Sequence, residues 1–279
     1  METGRTSKTA LRVAIRRVAH QMADPPAVLD DPIGLRLIGE GYKRDLDRAM
    51  EKVGRDFRAF MAARSRFVED KVAEAVARGV DQYVVLGAGL DTFAYRNPFP
   101  RLRVFEVDFP ATQEWKRDLL ARSGIEVPPL LTFVPLDFEH KTLAAGLAEA
   151  GFNDSRPAYF SWLGVVPYLT MEAFAATMAD IVKLPEGTGV TFDYAFPPDT
   201  LSPPRRVIFD RLAERVSAAG EPFRLYFSPG QLEREVGAIG FRGIEHTDID
   251  KLNQLYFRDR ADGLKLSPVG IGTLATAWV

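Results

Sequence analysis

Two glycines, Gly87 and Gly89, follow an apolar run in QYVVLGAGLDT, and two acids, Glu106 and Asp108, end the next such run, LRVFEVDF, 19 and 21 positions after Gly87. Glycine at a strand-to-loop turn permits positive φ and a close approach of backbone to ligand. It also makes tight turns where no ligand binds. A carboxylate about 20 residues beyond such a turn is where a ribose diol is held, because one carboxylate accepts both hydroxyl protons. Asp108 lies nearer the strand end than Glu106 and is the preferred of the two, a solvated strand-end charge being the plainer alternative. Thr92 stands where a dinucleotide fingerprint places its third glycine or alanine, so the turn lacks the close helix that receives a pyrophosphate. These spacings suit either a ligand with a ribose diol and no pyrophosphate or a plain tight turn beside a solvated acid. A third run, LLTFVPLDF, closes on Asp137-Phe138. There a carboxylate or its neighbouring amide can meet an adenine amino group and ring nitrogen while the phenyl ring packs nearby; helix capping is the ordinary alternative.

Other chemistries find less support. The chain has 279 residues and no cysteine, which removes thiolate nucleophiles, disulfides and cysteine-based metal sites. Its three histidines, His20, His140 and His246, lie far apart without ligand spacing, so no metal is expected. A net charge of −2 advertises no attraction to nucleic acid or to an anionic membrane. The opening METGRTSKTALRVAIRRVAHQ scatters basic residues where a signal peptide needs an apolar run, and no segment reaches the roughly 18 apolar residues of a spanning helix. The expected compartment is the cytoplasm.

Positioning these groups falls to an alternation of strand and helix. Residues 9–21 place Leu11, Ala14, Ile15, Val18 and Ala19 on one helical stripe with Arg12, Arg16 and Arg17 outside it, after a cap at Ser7. Helical spacing returns over 43–78 and stops at Gly79. QYVVLGAG, LRVFEVDF, LLTFVPLDF, PAYFSWLGVVPYL and GVTFDYAF read as buried strands, with helical stretches after the second, third and fourth. Such a pattern predicts a doubly wound α/β sheet, mostly parallel. Beyond Pro197 a proline-rich segment leads into an amphipathic helix, read as a lid-like insertion or a mere connection; SPGQLEREVGAIGF is a capped helix, and the tail supplies two last strands, the final one antiparallel.

VVLGAGLDTFAYR, VFEVDFPATQEWKRDLL and the upstream AARSRFVED together resemble the leucine carboxyl methyltransferase family and its bacterial S-adenosylmethionine-dependent relatives. The resemblance runs from TALRVA through DDPIGLRLIG to VPYL and FDYAF. It implies a Rossmann-like class I methyltransferase fold, seven-stranded and mostly parallel. On that footing 1–79 form a helical extension, 80–197 and 223–279 the core, and 198–222 the insertion, all in one domain. S-adenosyl-L-methionine is the implied cofactor. Arg64 would pair with its carboxylate through a planar guanidinium fork. Gly87, with Gly89 in the same turn, would lie against it, Asp108 would hold the ribose, and Asp137 with Phe138 would contact adenine. One departure stands out: many relatives carry Glu about five residues before the tyrosine of the YL dipeptide, and here SWLGVVPYL has Leu163.

Methyl transfer from a sulfonium asks the protein for alignment and exclusion of water. A carboxylate acceptor needs no general base; a hydroxyl does, and His140 and His246 are then the candidates. No catalytic residue is assigned. Tyr168 and Tyr194 are candidates to line the acceptor pocket, and Trp162 to shape it. The expected function is O-methylation of a small molecule or an exposed carboxyl group. Its alternatives are a nicotinamide-dependent oxidoreductase and an S-adenosylmethionine-binding protein without turnover.

Overall fold

The computed structural model describes residues 8–51, 54–137, 140–267 and 273–279. Ser7 and Phe138, both singled out above, lie outside the described residues. Seven strands, β1 (Gln82–Leu86), β2 (Arg103–Asp108), β3 (Leu131–Pro135), β4 (Tyr159–Trp162), β5 (Gly189–Tyr194), β6 (Gly243–Thr247) and β7 (Thr273–Trp278), form one sheet. Its order is β3-β2-β1-β4-β5-β7-β6. Strands β1 to β5 pair in parallel, and β7 runs antiparallel to both β5 and β6. The mostly parallel α/β sheet and its reversed last strand agree with the reading of the sequence.

Alternation along each strand feeds two cores. Val84, Leu86, Phe105, Val107, Phe160 and Trp162 face one side, where α6 (Leu143–Glu149), α7 (Met171–Ile181) and α9 (Pro229–Ile239) cover them. Tyr83, Val85, Val104 and Tyr159 face the other, packed on Val68 and Val72 of α4 (Arg55–Ala77). Each fully buried aromatic or aliphatic side chain contributes roughly 1.5–3 kcal/mol through the water it leaves.

The amphipathic stripe of α1 (Lys8–Ala23) is buried at Ala14, Ile15, Val18 and Ala19 against Leu37 and Ile38 of α2 (Pro32–Ile38) and Leu46 of α3 (Lys43–Met50). A buried polar network secures the end of α1. The His20 Nδ1 lies 3.1 Å from an Asp24 carboxylate oxygen, and Asp24 accepts from the Arg58 guanidinium at 2.7 and 2.9 Å.

The helical stretch expected over 43–78 divides into α3 and α4. Gly54, at φ +90°, precedes α4 in a left-handed conformation that no continuing helix adopts. Helix α2 was not anticipated, although Asp31 caps it by accepting from the Gly34 amide at 2.8 Å and Pro32 opens its first turn. The described chain between β1 and β2 holds a single 3-10 turn, Phe93–Arg96, and no α-helix. After β2 comes α5 (Pro110–Arg122), and after β5 α8 (Pro203–Ser217), with Phe209 and Val216 its buried residues. A reciprocal box between Ser228 and Gln231 caps α9. The last helix, α10 (Ile249–Tyr256), starts at the Asp248 cap and separates β6 from β7. No helix among the described residues is long and apolar enough to cross a membrane.

Candidate active site

Strand β1 has β2 on one side and β4 on the other, so the chain leaving β1 and the chain leaving β4 part at the sheet's carboxyl edge. Open parallel sheets hold their ligands in that crevice. Here it is a cavity of about 450 Å³. Its floor is Leu86 to Asp91 after β1, Asp108 and Phe109 at the end of β2, and Ser161 to Val165 at the end of β4. One wall is Arg64, Val68 and Glu69 of α4; Val13 and Arg17 of α1 and the strap at 220–224 close over it.

Of the residues singled out in the sequence, Arg64, Gly87, Gly89 and Asp108 meet at this cavity, and Asp137 does not line it. Asp108 ties β2 to the glycine turn. One of its carboxylate oxygens accepts from the Gly89 amide at 2.6 Å and the other from the Phe109 amide at 2.7 Å. The Thr112 side chain gives Asp108 a third hydrogen bond, which leaves about one of the carboxylate's four lone-pair sites for another donor. Burial pushes the Asp108 carboxyl above the usual carboxylate range, and the two amides work against that rise.

Glu106, the alternative acid, sits one pleat deeper and serves the loop from below. Its carboxylate accepts from Lys116 Nζ at 2.5 Å, and the same ammonium donates to the Asp91 carbonyl at 2.6 Å. Glu106 and Lys116 are each 1% exposed. Burial pushes the Glu106 carboxyl up to about 7, against the pull of Lys116.

The glycines answer to packing around the turn. Gly87 has φ +66°, and a Cβ there would come within 2.4 Å of the Val165 side chain. At Gly89, φ +49°, a Cβ would meet the Ala10 methyl at 2.9 Å. Close approach is thus demanded first by the β4 loop and by α1, a reason the sequence pattern alone did not supply.

Asp137 follows β3. Its carbonyl accepts from the amides of His140 and Lys141 at 3.0 Å each, and Thr142, not Asp137, caps α6. Leu163 and Trp162 line the cavity, and Trp162 stacks on Phe174 at 5.9 Å between ring centroids. Tyr168 lines it as well, whereas Tyr194 does not and instead bonds the His246 Nδ1 at 2.9 Å. No group of three or more His, Cys, Asp or Glu side chains among the described residues is placed to hold a metal ion.

Several lining groups escaped the reading of the sequence. Arg17, 8% exposed, donates to the Leu90 carbonyl at 2.7 Å and lies 3.7 Å from the Asp91 carboxylate. Its signal was available: Ala10, Ala14 and Arg17 follow helical spacing on one stripe. Glu69 is held by Arg96, whose Nη1 donates to it at 2.8 Å, and burial raises its carboxyl. Thr9 and Glu221, joined by a hydrogen bond, link α1 to the strap, a pairing that no local pattern announces.

A mostly parallel sheet of this order, with a glycine turn after β1 and an acid ending β2, is that of a Rossmann-like methyltransferase. Residues 10–182 match the family model of leucine carboxyl methyltransferase. A protein of Bacillus subtilis strain 168 named as a candidate S-adenosyl-L-methionine-dependent methyltransferase, YktD, is 31% identical over 95% of both chains. A similarly named protein of Mycobacterium avium strain 104 is 30% identical over 90% of this chain and 82% of its own. The chain belongs to the leucine carboxyl methyltransferase family. Crystal structures of a Streptomyces avermitilis protein (18% identity, TM-score 0.59, 98% of this chain and 97% of that one) and a Thermobifida fusca candidate methyltransferase (18%, 0.57, 99% and 96%) share the fold.

Proposed function

We propose that this protein transfers a methyl group to an oxygen, carboxylate or hydroxyl, on a small molecule or an exposed carboxyl group. As a member of its family it is an S-adenosyl-L-methionine-dependent methyltransferase. The observation that carries the reading is the convergence of Arg64, the Gly87–Gly89 turn and Asp108 on one cavity at the sheet's switch point. The residues fit the donor. Asp108, held by Gly89, Phe109 and Thr112, keeps an acceptor site for a ribose hydroxyl, and Arg64 has a buried Nε without a partner among the described residues for the amino-acid carboxylate. Asp137 and Phe138 are proposed for the adenine. A nicotinamide dinucleotide fits less well, because the turn after β1 leads into a 3-10 turn and offers no α-helix N-terminus to a pyrophosphate.

When bound, the donor's sulfonium supplies an electrophilic methyl. The protein's own part is alignment and dryness. Trp162, Tyr168, Ala173 and Thr177 shape the remaining end of the cavity, where the acceptor is proposed to sit. The segment 198–222 is proposed as a lid over the core. Phe223 packs its ring 5.1 Å from Tyr168 and 5.7 Å from Phe209 of α8, tying the strap to the chamber. None of the three histidines lines the cavity: His20 is fully buried in its network, His246 is engaged by Tyr194, and His140 is exposed. An acceptor already ionised at neutral pH suits such a chamber, which favours a carboxylate.

Calorimetric titration with S-adenosylmethionine and with NAD, followed by radiolabelled methyl transfer to acceptors with free and with blocked carboxyls, tests this. Binding of S-adenosylmethionine alone and label on free carboxyls are expected. Binding of NAD with no response to S-adenosylmethionine would overturn the reading.

A further inference from the structure

Strand β5 reads GVTFDY, and in this otherwise apolar or hydroxyl-bearing strand Asp193 is 8% exposed. A charge is seldom buried so far without a specific partner. Asp193 has two. One carboxylate oxygen accepts from the Gly164 amide at 2.6 Å, at the end of β4, and the other accepts from Nη1 of Arg64 on α4. Three elements thus meet on one carboxylate directly behind the cavity wall. Asp193 itself does not line the cavity, whereas Arg64, Leu163 and Gly164 do.

The pairing uses only half of the guanidinium. Nη1 is taken, while among the described residues Nε is buried without a partner and Nη2, 3.2 Å from where a Gly164 Cβ would stand, has no hydrogen bond. Nε and Nη2 form the side-on edge of the guanidinium, the edge that grips a carboxylate with two parallel bonds. A buried ion pair that engages one terminal nitrogen and leaves that edge unanswered is an incomplete structural pair, and a prepared anion receptor. Leu163 brings no acid to the β4 end, so the carboxylate that fixes Arg64 comes from β5.

We propose that Asp193 is the positioning residue for the amino-acid end of the methyl donor. It anchors Arg64 by Nη1 and the β4 loop by the Gly164 amide, so that the Nε–Nη2 edge is presented to the donor's carboxylate. This assignment rests on the reading of Arg64 given above. Asp193 acts through Arg64 and does not itself touch the ligand.

The test compares S-adenosylhomocysteine with 5′-methylthioadenosine, which keeps the adenosine and lacks the amino-acid end. Wild type is expected to bind the former much more tightly. Asp193→Asn keeps an acceptor for Gly164 and loses the charge on Arg64; it should weaken S-adenosylhomocysteine about tenfold or more and leave methylthioadenosine within about twofold. Equal losses for both ligands, or no loss for either, would overturn the assignment. Should the single variant not fold, Arg64→Leu and Arg64→Leu/Asp193→Leu, the latter burying no unpaired charge, give a second route. Equal affinities of these two for S-adenosylhomocysteine support action through Arg64, and a further loss in the double variant refutes it. A wild type that binds methylthioadenosine as tightly as S-adenosylhomocysteine refutes the carboxylate receptor and Asp193's part in it. A wild type that binds neither refutes the donor reading itself.

Discussion

Asp108→Asn separates holding the loop from holding the ligand. In the wild type one oxygen takes the Gly89 amide at 2.6 Å and the other the Phe109 amide at 2.7 Å. Asparagine offers one acceptor oxygen and one donor NH2. In either orientation one of those amides therefore faces a donor and loses its bond. A partly buried donor left without a partner costs about 1 kcal/mol, and that cost falls on the turn carrying Gly87 and Gly89 and appears as lost stability. Binding falls for a different reason. Asparagine carries no charge and sets an N–H in place of one oxygen that faced the ribose, which removes a charge-assisted bond of roughly 1.5–3 kcal/mol. At about 1.4 kcal/mol per decade, Kd for S-adenosylhomocysteine rises roughly 10- to 150-fold. Calorimetric titration at fixed pH and salt, beside urea unfolding, measures the two effects separately. Wild-type affinity in the variant would refute the ribose role, and lost stability with normal binding would confine Asp108 to bracing the turn.

Two further expectations concern the groups around the site. Lys116→Met removes the partner of a buried Glu106 whose carboxyl burial already lifts to about 7. A carboxyl raised in the folded state contributes stability below its unfolded value and loses it as pH rises through the folded one. Without Lys116 that value climbs, so the wild type levels off above about pH 7 while the variant keeps losing roughly 1.4 kcal/mol per pH unit. Urea unfolding at pH 6, 7 and 8 reads this; a difference from wild type that stays constant with pH would show Glu106 to be uninvolved. His20 behaves in the opposite sense. Burial lowers its imidazole below the ordinary histidine value, against the pull of Asp24, and its Nε2 accepts from the Val28 amide at 3.2 Å, so the fold holds it neutral. The folded value being the lower, stability is present above about pH 6.5 and is lost as pH falls through the folded value. The destabilisation caused by His20→Gln should accordingly shrink between pH 7.5 and pH 5, and an unchanged penalty would count against a neutral imidazole.

Strand identity and sheet class were legible because strands buried on both faces are written as near-continuous apolar runs, as in QYVVL and LRVFEV. The Gly87 turn and Asp108 were legible because they stand at strand ends, where position along the chain fixes position in space. Helices α2 and α10 carried their caps, Asp31 and Asp248, and are short enough that periodicity alone did not reveal them. The break between α3 and α4 went unread because the residues on either side of Gly54 keep helical spacing, and only backbone conformation marks the stop. Asp137 has the residue type and the strand-end position expected of a ligand contact and does not line the cavity, so its proposed contact with adenine rests on the family resemblance and not on local pattern.

By itself the sequence determined the sheet, the turn after β1 and the acid after β2, because each depends on local pattern or on residues one strand apart. Tertiary structure alone decided which charges share a partner. Arg64 and Asp193 lie 129 positions apart, and Thr9 and Glu221 lie 212 apart. No periodicity links such pairs, since they meet only after the sheet has closed and α1, α4 and the strap have packed across its carboxyl edge. The glycine turn shows the same division in one place. Its two glycines are visible in the chain, but the contacts that forbid a Cβ there come from Val165 and Ala10, brought in by other elements of the fold.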